Sequence, residues 1–128
     1  MQPIGFLQGR SNRVDYWTSI AIVVALSVGL RLLFRSNGAL IQEMVLVIIA
    51  VPRLHDVGRS GWWAVVALAV EWLIVVVLAA GAPEIYDAYA PWILGYVLLC
   101  VVLLGAWNGN PGENRFGPPP PSGLSWKR

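Results

Sequence analysis

The stretch RLHDVGRSGWW, at residues 53–63, concentrates the side chains that could do chemistry in an otherwise apolar chain. It contains the only histidine, His55, beside Asp56, and a carboxylate that orients a histidine is a common arrangement for a general base. Adjacent residues on a helix point about 100° apart, so these two side chains would not face each other. No nucleophile motif accompanies them, because Ser60 is better explained as the N-cap of the next helix. We therefore predict no catalytic residue and no enzymatic activity.

The sequence gives little support to metal, cofactor or nucleic-acid chemistry. A metal site needs several ligands at recognisable spacing, and the chain has one histidine and one distant cysteine, Cys100. It has no phosphate-binding glycine loop and no nucleic-acid-binding motif. We expect no metal, no cofactor and no nucleic-acid partner.

The composition indicates that the chain is surrounded by lipid. Of its 128 residues, 57% are hydrophobic and 12% are charged, whereas a soluble domain has about 25% charged residues. The mean hydropathy is +0.64. Since the length allows only one domain, we predict a single integral membrane domain.

Four apolar segments are predicted to cross the bilayer, because a spanning helix needs roughly 20 apolar residues. They are residues 17–34, 39–58, 62–80 and 92–107, which together make a transmembrane domain over residues 17–107. The second segment is apolar only over residues 39–51, so it must tilt, continue past Pro52 or be sheltered by its neighbours. The short connections favour an all-α, antiparallel four-helix bundle.

The segments that flank this domain are residues 1–16 and residues 108–128. The first span follows two arginines, as a signal peptide would, but we interpret it as retained because no small-residue cleavage site follows it. Pro91 is predicted to be the first residue of the fourth helix, where its missing N–H has no cost. The tail at residues 108–128 is rich in proline and glycine. We interpret it as a solvated spacer, with a docking ligand as the alternative.

Lysine and arginine are distributed unequally between the two ends of the predicted bundle. Cytoplasmic loops of membrane proteins carry an excess of these residues. Of the nine, two would lie outside if both termini are cytoplasmic, namely Arg31 and Arg35. The other seven would lie inside, namely Arg10, Arg13, Arg53, Arg59, Arg115, Lys127 and Arg128. The distribution predicts cytoplasmic termini, with aromatic anchors at the cytoplasmic interface: Tyr16, Trp17, Trp62, Trp63 and Trp107.

Three charged residues, Arg31, Glu43 and Glu71, are predicted to lie within the bilayer, where a charge costs at least about 2.5–3.5 kcal/mol at the centre. Arg31 and Glu43 are each six residues from Asn37 in the first hairpin, so we expect an ion pair between them. The alternative is a role in an ion path. Glu71 has no predicted countercharge and is interpreted as a neutral residue that hydrogen-bonds between helices. A proton relay or a contact with a partner subunit is its alternative.

Three motifs that are distant in sequence are predicted to meet at the cytoplasmic interface. They are GRSNRVDYW at residues 9–17, RLHDVGRSGWW at residues 53–63 and NPGENRFGP at residues 110–118. Their arginines suit the binding of lipid phosphates or of an anionic loop of a partner, and Asp56 could orient an arginine or His55. Alternatively, the motifs are only topology anchors, glycine turns and a tryptophan belt. The candidate binding residues are Arg10, Arg13, Arg53, His55, Asp56, Arg59, Asn114 and Arg115.

These motifs resemble those of the bacterial inner-membrane family called domain of unknown function 805. Its members have an N-terminal G-R-x-x-R-x-x-Y-W, a central R-R-L-H-D followed by S-G-W-W, and a C-terminal G-x-N-x-F-G-P-D-P. The resemblance covers residues 6–120. Pro52 stands where the family usually has the first arginine, which removes one charge from any site. Pro119 stands where it often has aspartate, which weakens the case for an essential acid in the tail. The resemblance implies an integral inner-membrane protein and no particular activity.

The sequence therefore favours a non-catalytic accessory or scaffold component that binds a partner protein or anionic lipid headgroups at its cytoplasmic face. The expected partners are membrane lipids, and also another membrane protein or a second copy of the chain. The alternative class is a small transporter or channel that uses Glu71 and Glu43. It would have to be an oligomer, because four short helices enclose little pore.

Overall fold

The computed structural model describes residues 5–34 and 39–125, over which the fold is all-α, as predicted. In chain order its elements are a single turn α1 (Gly5–Gln8), α2 (Arg13–Phe34), α3 (Ala39–Asp56), α4 (Trp62–Gly81), a 3-10 turn (Pro83–Ile85) and α5 (Tyr86–Ala106). The first interhelical loop at residues 36–38 lies outside the described residues. So do three of the predicted basic residues, Arg35, Lys127 and Arg128.

Two of the helices begin earlier than the sequence predicts. α2 starts four residues before residue 17, because the Asn12 side chain accepts a hydrogen bond from the Asp15 N–H at 2.9 Å and so caps the helix. α5 starts six residues before residue 92, because the 3-10 turn leads directly into it. The prediction that Pro91 opens this helix is therefore wrong. Pro91 lies inside α5, which lacks one backbone hydrogen bond there.

Three of the four long helices are long and apolar enough to cross a membrane. The candidate spans among the described residues are Arg13–Leu33, Trp62–Gly81 and Ala88–Ala106. α3 is not among them, because its 18 residues include Glu43, Arg53 and Asp56. The prediction of four spans is thus supported for three helices and not for α3. Charge at both ends leaves α3 a shorter apolar stretch than a lipid-facing helix needs.

α3 occupies the centre of the bundle and packs against α2, α4 and α5. The helix continues past Pro52, whose side chain is fully buried, and Ile49 is one of the few buried apolar residues. α5 in turn packs against α2 and α4. The three candidate spans therefore surround the helix that is not one, and most of their own side chains face outward.

Candidate functional site

Five segments of the described chain meet at one end of the bundle. They are the starts of α2 and α4, the ends of α3 and α5, and the chain after α5. The Ser11 N–H donates to the carbonyl of Pro52 at 3.0 Å, and the Asn110 N–H donates to the carbonyl of Asp56 at 2.8 Å. We call this region the motif end and define it as residues 9–17, 53–63 and 106–125. It brings together the three motifs at residues 9–17, 53–63 and 110–118.

Asp56 lies at the centre of the motif end and binds two arginines. Its Oδ1 accepts hydrogen bonds from Nε of Arg10 at 3.1 Å and from Nη2 of Arg10 at 3.0 Å. Its Oδ2 accepts one from Nη1 of Arg53 at 2.5 Å. Arg53 and Asp56 are three residues apart near the end of α3, so they lie on one face of the helix. The carboxylate thus balances two guanidinium groups that are almost fully buried.

The remaining donors of Arg10 bind the chain after α5. Arg10 donates to the carbonyls of Asn110 at 2.5 Å, Gly112 at 2.7 Å and Gly117 at 3.1 Å. A guanidinium has five N–H donors in a fixed planar arrangement, which suits it to several carbonyl acceptors at once. Arg10 therefore joins α3 to the C-terminal motif.

Arg53 makes a second set of bonds, to the ends of two other helices. It donates to the carbonyls of Ser11 at 3.2 Å, Leu104 at 3.3 Å and Trp107 at 2.5 Å. Burial lowers the pKa of Arg53 below its usual value, while the neighbouring Asp56 carboxylate acts in the opposite direction. Arg53 is thus held inside the protein by α2, α3 and α5 and is not available at the surface.

His55 is enclosed by the C-terminal motif. Its Nδ1 lies 3.1 Å from the carbonyl oxygen of Gly9, so this nitrogen carries the proton and donates. The ring of Phe116 stacks on the imidazole with centroids 3.8 Å apart and an angle of 9° between planes. Asn114 donates from Nδ2 to the His55 carbonyl at 2.9 Å. Burial lowers the pKa of His55, and the nearby positive charge of Arg115 adds to this effect.

The tail is folded against the helices over residues 108–125, which we call the tail segment. Asn12 donates from Nδ2 to the carbonyls of Pro121 at 2.8 Å and Gly123 at 2.7 Å. The Ser125 N–H donates to Oδ1 of Asp15 at 2.8 Å. The expectation of a solvated spacer is therefore wrong, because distant polar side chains bind the backbone of this segment.

The other arginines of the motifs differ in what they contact. Arg13 donates to the Ala106 carbonyl at 2.7 Å and to the side chain of Asn108. The guanidinium of Arg115 lies over the Phe116 ring, 4.7 Å from its centre. Arg59 and Arg115 are exposed, and among the described residues neither forms an ion pair. They are the arginines of the motif end that remain available to an outside anion.

The predicted aromatic anchors also separate into two groups. Trp62, Trp63 and Trp107 are 73%, 59% and 55% exposed. Tyr16 is only 1% exposed, and its hydroxyl donates to the Val101 carbonyl at 2.9 Å. Tyr16 was predicted to lie at the interface and instead joins α2 to α5. Trp17 is half-exposed and sits edge-on to it, with ring centroids 5.5 Å apart.

The turn before α4 does not use Ser60 as its cap. The residue at the N-cap position is Gly61, which has no side chain to accept a hydrogen bond. The Ser60 hydroxyl accepts only a long bond of 3.4 Å from the Trp62 N–H. A Cβ on Gly61 would lie 2.7 Å from the Val51 side chain, so close packing of α3 against this turn explains the glycine.

Glu43 and Arg31 do not form the predicted ion pair. Glu43 instead accepts a hydrogen bond at 2.8 Å from Nε1 of Trp72 on α4, while Arg31 is exposed in the last turn of α2. The ion pairs among the described residues are those of Asp56 with Arg10 and Arg53. Equal depth on adjacent helices does not fix which side of each helix a residue occupies.

A cavity of about 240 Å³ lies between α3, α4 and α5, and we call it the interhelical cleft. Most of its wall is aliphatic and aromatic. Glu43 and Glu71 line one part of it, and Arg59, Trp63 and Trp107 line another. Glu71 is 9% exposed, and no hydrogen bond or ion pair joins it to another described residue.

Some residues that organise the site were not identified from the sequence. Gly109 packs against the Asp56 carboxylate so closely that a Cβ would lie 2.7 Å from Cγ of Asp56. Phe116 covers His55, and Asn12 caps α2 and binds the tail segment. The available signal was the polar residue just before the first apolar run, which is typical of an N-cap. Nothing in the sequence marks Gly109 as different from the other glycines.

A polar, internally bonded end on three apolar helices defines a helical integral membrane protein. Within this class, the chain belongs to the family described as protein of unknown function (DUF805), since the profile of that family matches residues 6–118. This confirms the family assignment made from the three motifs.

Three relatives from Escherichia coli strain K12 are similar over most of their length. Inner membrane protein YhaH is 29% identical over 91% of this chain and 88% of its own length. Uncharacterized protein YiiR is 30% identical, covering 86% and 82%. Inner membrane protein YhaI is 28% identical, covering 94% and 89%. No solved structure matches the chain.

Proposed function

We propose that this protein is a non-catalytic accessory or scaffold component of the bacterial inner membrane whose motif end binds anionic lipid headgroups. The observation that carries the proposal is the division of its arginines. Arg10, Arg13 and Arg53 bond to the protein itself. Arg59 and Arg115 are exposed and have no ion pair among the described residues. Each such base attracts an anionic leaflet by about 1 kcal/mol.

Exposed tryptophans favour lipid over a water-soluble partner as the ligand. Trp62 and Trp63 follow Arg59 closely in sequence, and Trp107 follows the end of α5. One candidate span begins at Trp62 and another ends at Ala106, so these rings lie where apolar helix gives way to polar chain. Tryptophan prefers this depth in a bilayer, which would bring the neighbouring arginines to the level of the phosphates.

A non-catalytic role is supported by the surroundings of the one histidine–aspartate pair. His55 lies beneath the Phe116 ring, and its Nδ1 donates to a backbone carbonyl. Asp56 is bonded to Arg10 and Arg53. Because Asp56 bonds to the two arginines and Nδ1 of His55 bonds to a backbone carbonyl, the pair does not form the carboxylate-oriented histidine of a general base.

The proposal includes a topology in which α3 crosses the bilayer within the shelter of its neighbours and both termini are cytoplasmic. With 18 residues, α3 is about 27 Å long, close to the hydrocarbon thickness of about 30 Å. It packs against the three candidate spans, and its last turn is bonded within the motif end. The excess of lysine and arginine on the motif-end side favours the cytoplasm for that side.

Thiol labelling of intact cells tests this topology. A membrane-impermeant maleimide should label Glu84→Cys, in the turn before α5, and should not label Ser122→Cys, in the tail segment. Both positions are exposed in the structure. Labelling of Ser122→Cys alone would place the motif end on the outer side, which contradicts the proposal.

Native mass spectrometry after purification in a mild detergent tests lipid binding. We expect the wild-type protein to retain phosphatidylglycerol in preference to phosphatidylcholine. The double variant Arg59→Gln/Arg115→Gln should lose most of this preference, since it removes the two available charges. Arg31→Gln is the matched control, because Arg31 is an exposed arginine at the other end of α2. A monomer without lipid would contradict the proposal, and a retained protein in place of lipid would favour a scaffold that binds a partner.

A transporter or channel is the second candidate, and one observation favours it. Glu43 and Glu71 come from different helices and line the same interhelical cleft. Two acids beside one cavity within a membrane could carry protons or cations. Proteoliposomes with the wild-type protein would then show a cation or proton flux that Glu71→Gln reduces. Equal background flux in both would exclude this role for Glu71.

A further inference from the structure

We propose that the interhelical cleft binds one hydrocarbon chain of an anionic amphiphile, and that Arg59 holds the anionic headgroup at the mouth of the cleft. This inference deepens the proposed function and rests on it, because it assigns a defined binding site to one of the two available arginines. It adds a cavity that binds the hydrocarbon chain of the ligand. Attraction of headgroups to exposed arginines needs no such cavity.

The dimensions of the cleft suit a single chain. Its wall includes Trp63 and Glu71 of α4, which are eight residues or about 12 Å apart along the helix. Along α5 it includes Tyr96 and Leu104, which are eight residues or about 12 Å apart. Its volume of about 240 Å³ exceeds the cavity of about 150 Å³ that holds a benzene-sized apolar molecule. The cleft is therefore long enough and large enough for part of an alkyl chain.

The charges of the cleft determine the orientation of this ligand. Arg59 belongs to the motif end, and the exposed rings of Trp63 and Trp107 line the cleft with it. Glu43 lies near the start of α3 and Glu71 lies in the middle of α4, so both are away from the motif end. An anionic group is attracted by Arg59 and repelled from the region of the two acids. The headgroup therefore belongs at the motif end, with the chain directed towards the acids.

The apolar wall of the cleft supports an occupant independently of Arg59. Leu46, Val47 and Leu68 are among the side chains that line it. The lining of an empty apolar cavity lacks packing contacts on one side, and a hydrocarbon chain that fills the cleft supplies them.

Two sources could supply this ligand chemistry, a membrane phospholipid and a free fatty acid. Native mass spectrometry of the full-length protein in a mild detergent distinguishes them. The probes are phosphatidylglycerol, phosphatidylcholine with the same chains, and lauric acid, each titrated separately. We expect one phosphatidylglycerol or one lauric acid per protein to bind at least tenfold more tightly than phosphatidylcholine, where about 1.4 kcal/mol corresponds to tenfold. The tighter of the two anions identifies the source.

Paired variants locate the ligand. Ala67→Leu adds a side chain to the wall of the cleft, whereas Ala69→Leu makes the same change on an exposed position of α4 outside the cleft. Arg59→Gln removes the proposed headgroup contact, and Arg31→Gln removes an exposed arginine in the last turn of α2 that does not line the cleft. We expect Ala67→Leu and Arg59→Gln each to weaken anion binding about tenfold. The two controls should stay within about twofold of wild type.

The outcomes separate this inference from the proposed function. If the Arg59→Gln/Arg115→Gln double variant loses lipid while Ala67→Leu binds like Ala69→Leu, headgroups bind at the surface and the chain-binding site is refuted. Equal binding of phosphatidylcholine and phosphatidylglycerol would overturn the role of Arg59. Thermal unfolding of each variant checks that it folds. If Ala67→Leu does not fold, Ala50→Leu, which fills the cleft from α3, decides the same question.

Discussion

The charged side chains of the motif end and those of the interhelical cleft have different surroundings. At the motif end, Asp56 is bonded to Arg10 and Arg53, and both arginines also bind backbone carbonyls. In the cleft, Glu43 has only the indole of Trp72 as a hydrogen-bond donor among the described residues, and Glu71 has no such donor. The motif end is therefore satisfied from within, whereas the cleft leaves an acid without a partner.

Charge alone would assign binding to the arginines of the motifs, whereas their bonds give most of them a structural role. The arginines that are most prominent in the motifs hold the helices and the tail segment together. The residues with capacity for another molecule are Arg59, Arg115 and the wall of the cleft. Substitutions at the motif end should therefore mainly change stability, and substitutions in the cleft should mainly change binding.

The largest effect is expected for Asp56→Asn. This change leaves two buried guanidinium groups without a counterion, and breaking a buried ion pair from one side costs about 3–5 kcal/mol. We expect the free energy of unfolding, measured in mixed micelles of increasing dodecyl sulfate content, to fall by about this amount.

The matched substitution in the cleft is Glu71→Gln, for which we expect a change within about 1 kcal/mol, since no cation is left behind. Glu113→Gln, at an exposed acid of the tail segment, controls for loss of charge alone. Equal losses of stability for Asp56→Asn and Glu71→Gln would abolish the distinction between the two regions.

Gly109→Ala should destabilise the motif end without changing any charge. A Cβ at this position would collide with the carboxylate of Asp56 and push the tail segment away from it. Overpacking of this kind costs about 1–3 kcal/mol, and proteolysis of the tail segment should become faster. The control is Gly112→Ala, where nothing lies within 4 Å of the added carbon. Indistinguishable proteolysis of the two variants would contradict the close packing at Gly109.

Trp72→Phe tests the hydrogen bond that the indole donates to Glu43. The change removes the bond from Nε1 of Trp72 to Glu43 and should lower the unfolding free energy by about 1 kcal/mol. Trp92→Phe makes the same substitution at an exposed ring of α5 and should have little effect. If the two variants are equally stable, the indole does not stabilise Glu43.

The smallest expected effect is a dependence of stability on pH through His55. Burial lowers its pKa in the folded protein below the unfolded value of about 6.5, so the unfolded chain binds the proton more readily. The stability that neutral His55 contributes is fully present above about pH 6.5 and is lost as the pH falls through the folded pKa. The free energy of unfolding should decrease from about pH 8 to pH 5 in the wild type, and it should decrease less in His55→Gln. Parallel curves for the two proteins would show that His55 does not contribute.

The sequence was sufficient to predict α2, α4 and α5, because their apolar runs are long enough to cross a membrane. It was also sufficient to predict that three distant motifs meet, because short loops make successive helices antiparallel. The partner of Glu43 was not predictable in this way. Counting from the hairpin gives the depth of Arg31 and Glu43 but not the direction in which each side chain points, and Glu43 points towards Trp72.

The tail segment was not predictable for a different reason. Its residues have no period because its backbone is ordered by side chains of other elements, chiefly Arg10 and Asn12. Because these bonds go to backbone carbonyls, they require no particular residue types in the tail segment and leave no pattern in its sequence. The same limit applies to Gly109, whose close contact with Asp56 depends on the final position of α3.

The bonds of Arg10 also set an order in which the protein can be completed during synthesis. Arg10 and its acceptor at Gly112 are separated by 102 residues, which a ribosome adds in about 5 to 20 s. Asp56 is available to Arg10 as soon as it is made, but the carbonyls of the tail segment that complete the bonds of Arg10 are made only after α5. The four long helices are therefore synthesised before the motif end can close, because the acceptors of Arg10 follow α5 in the chain.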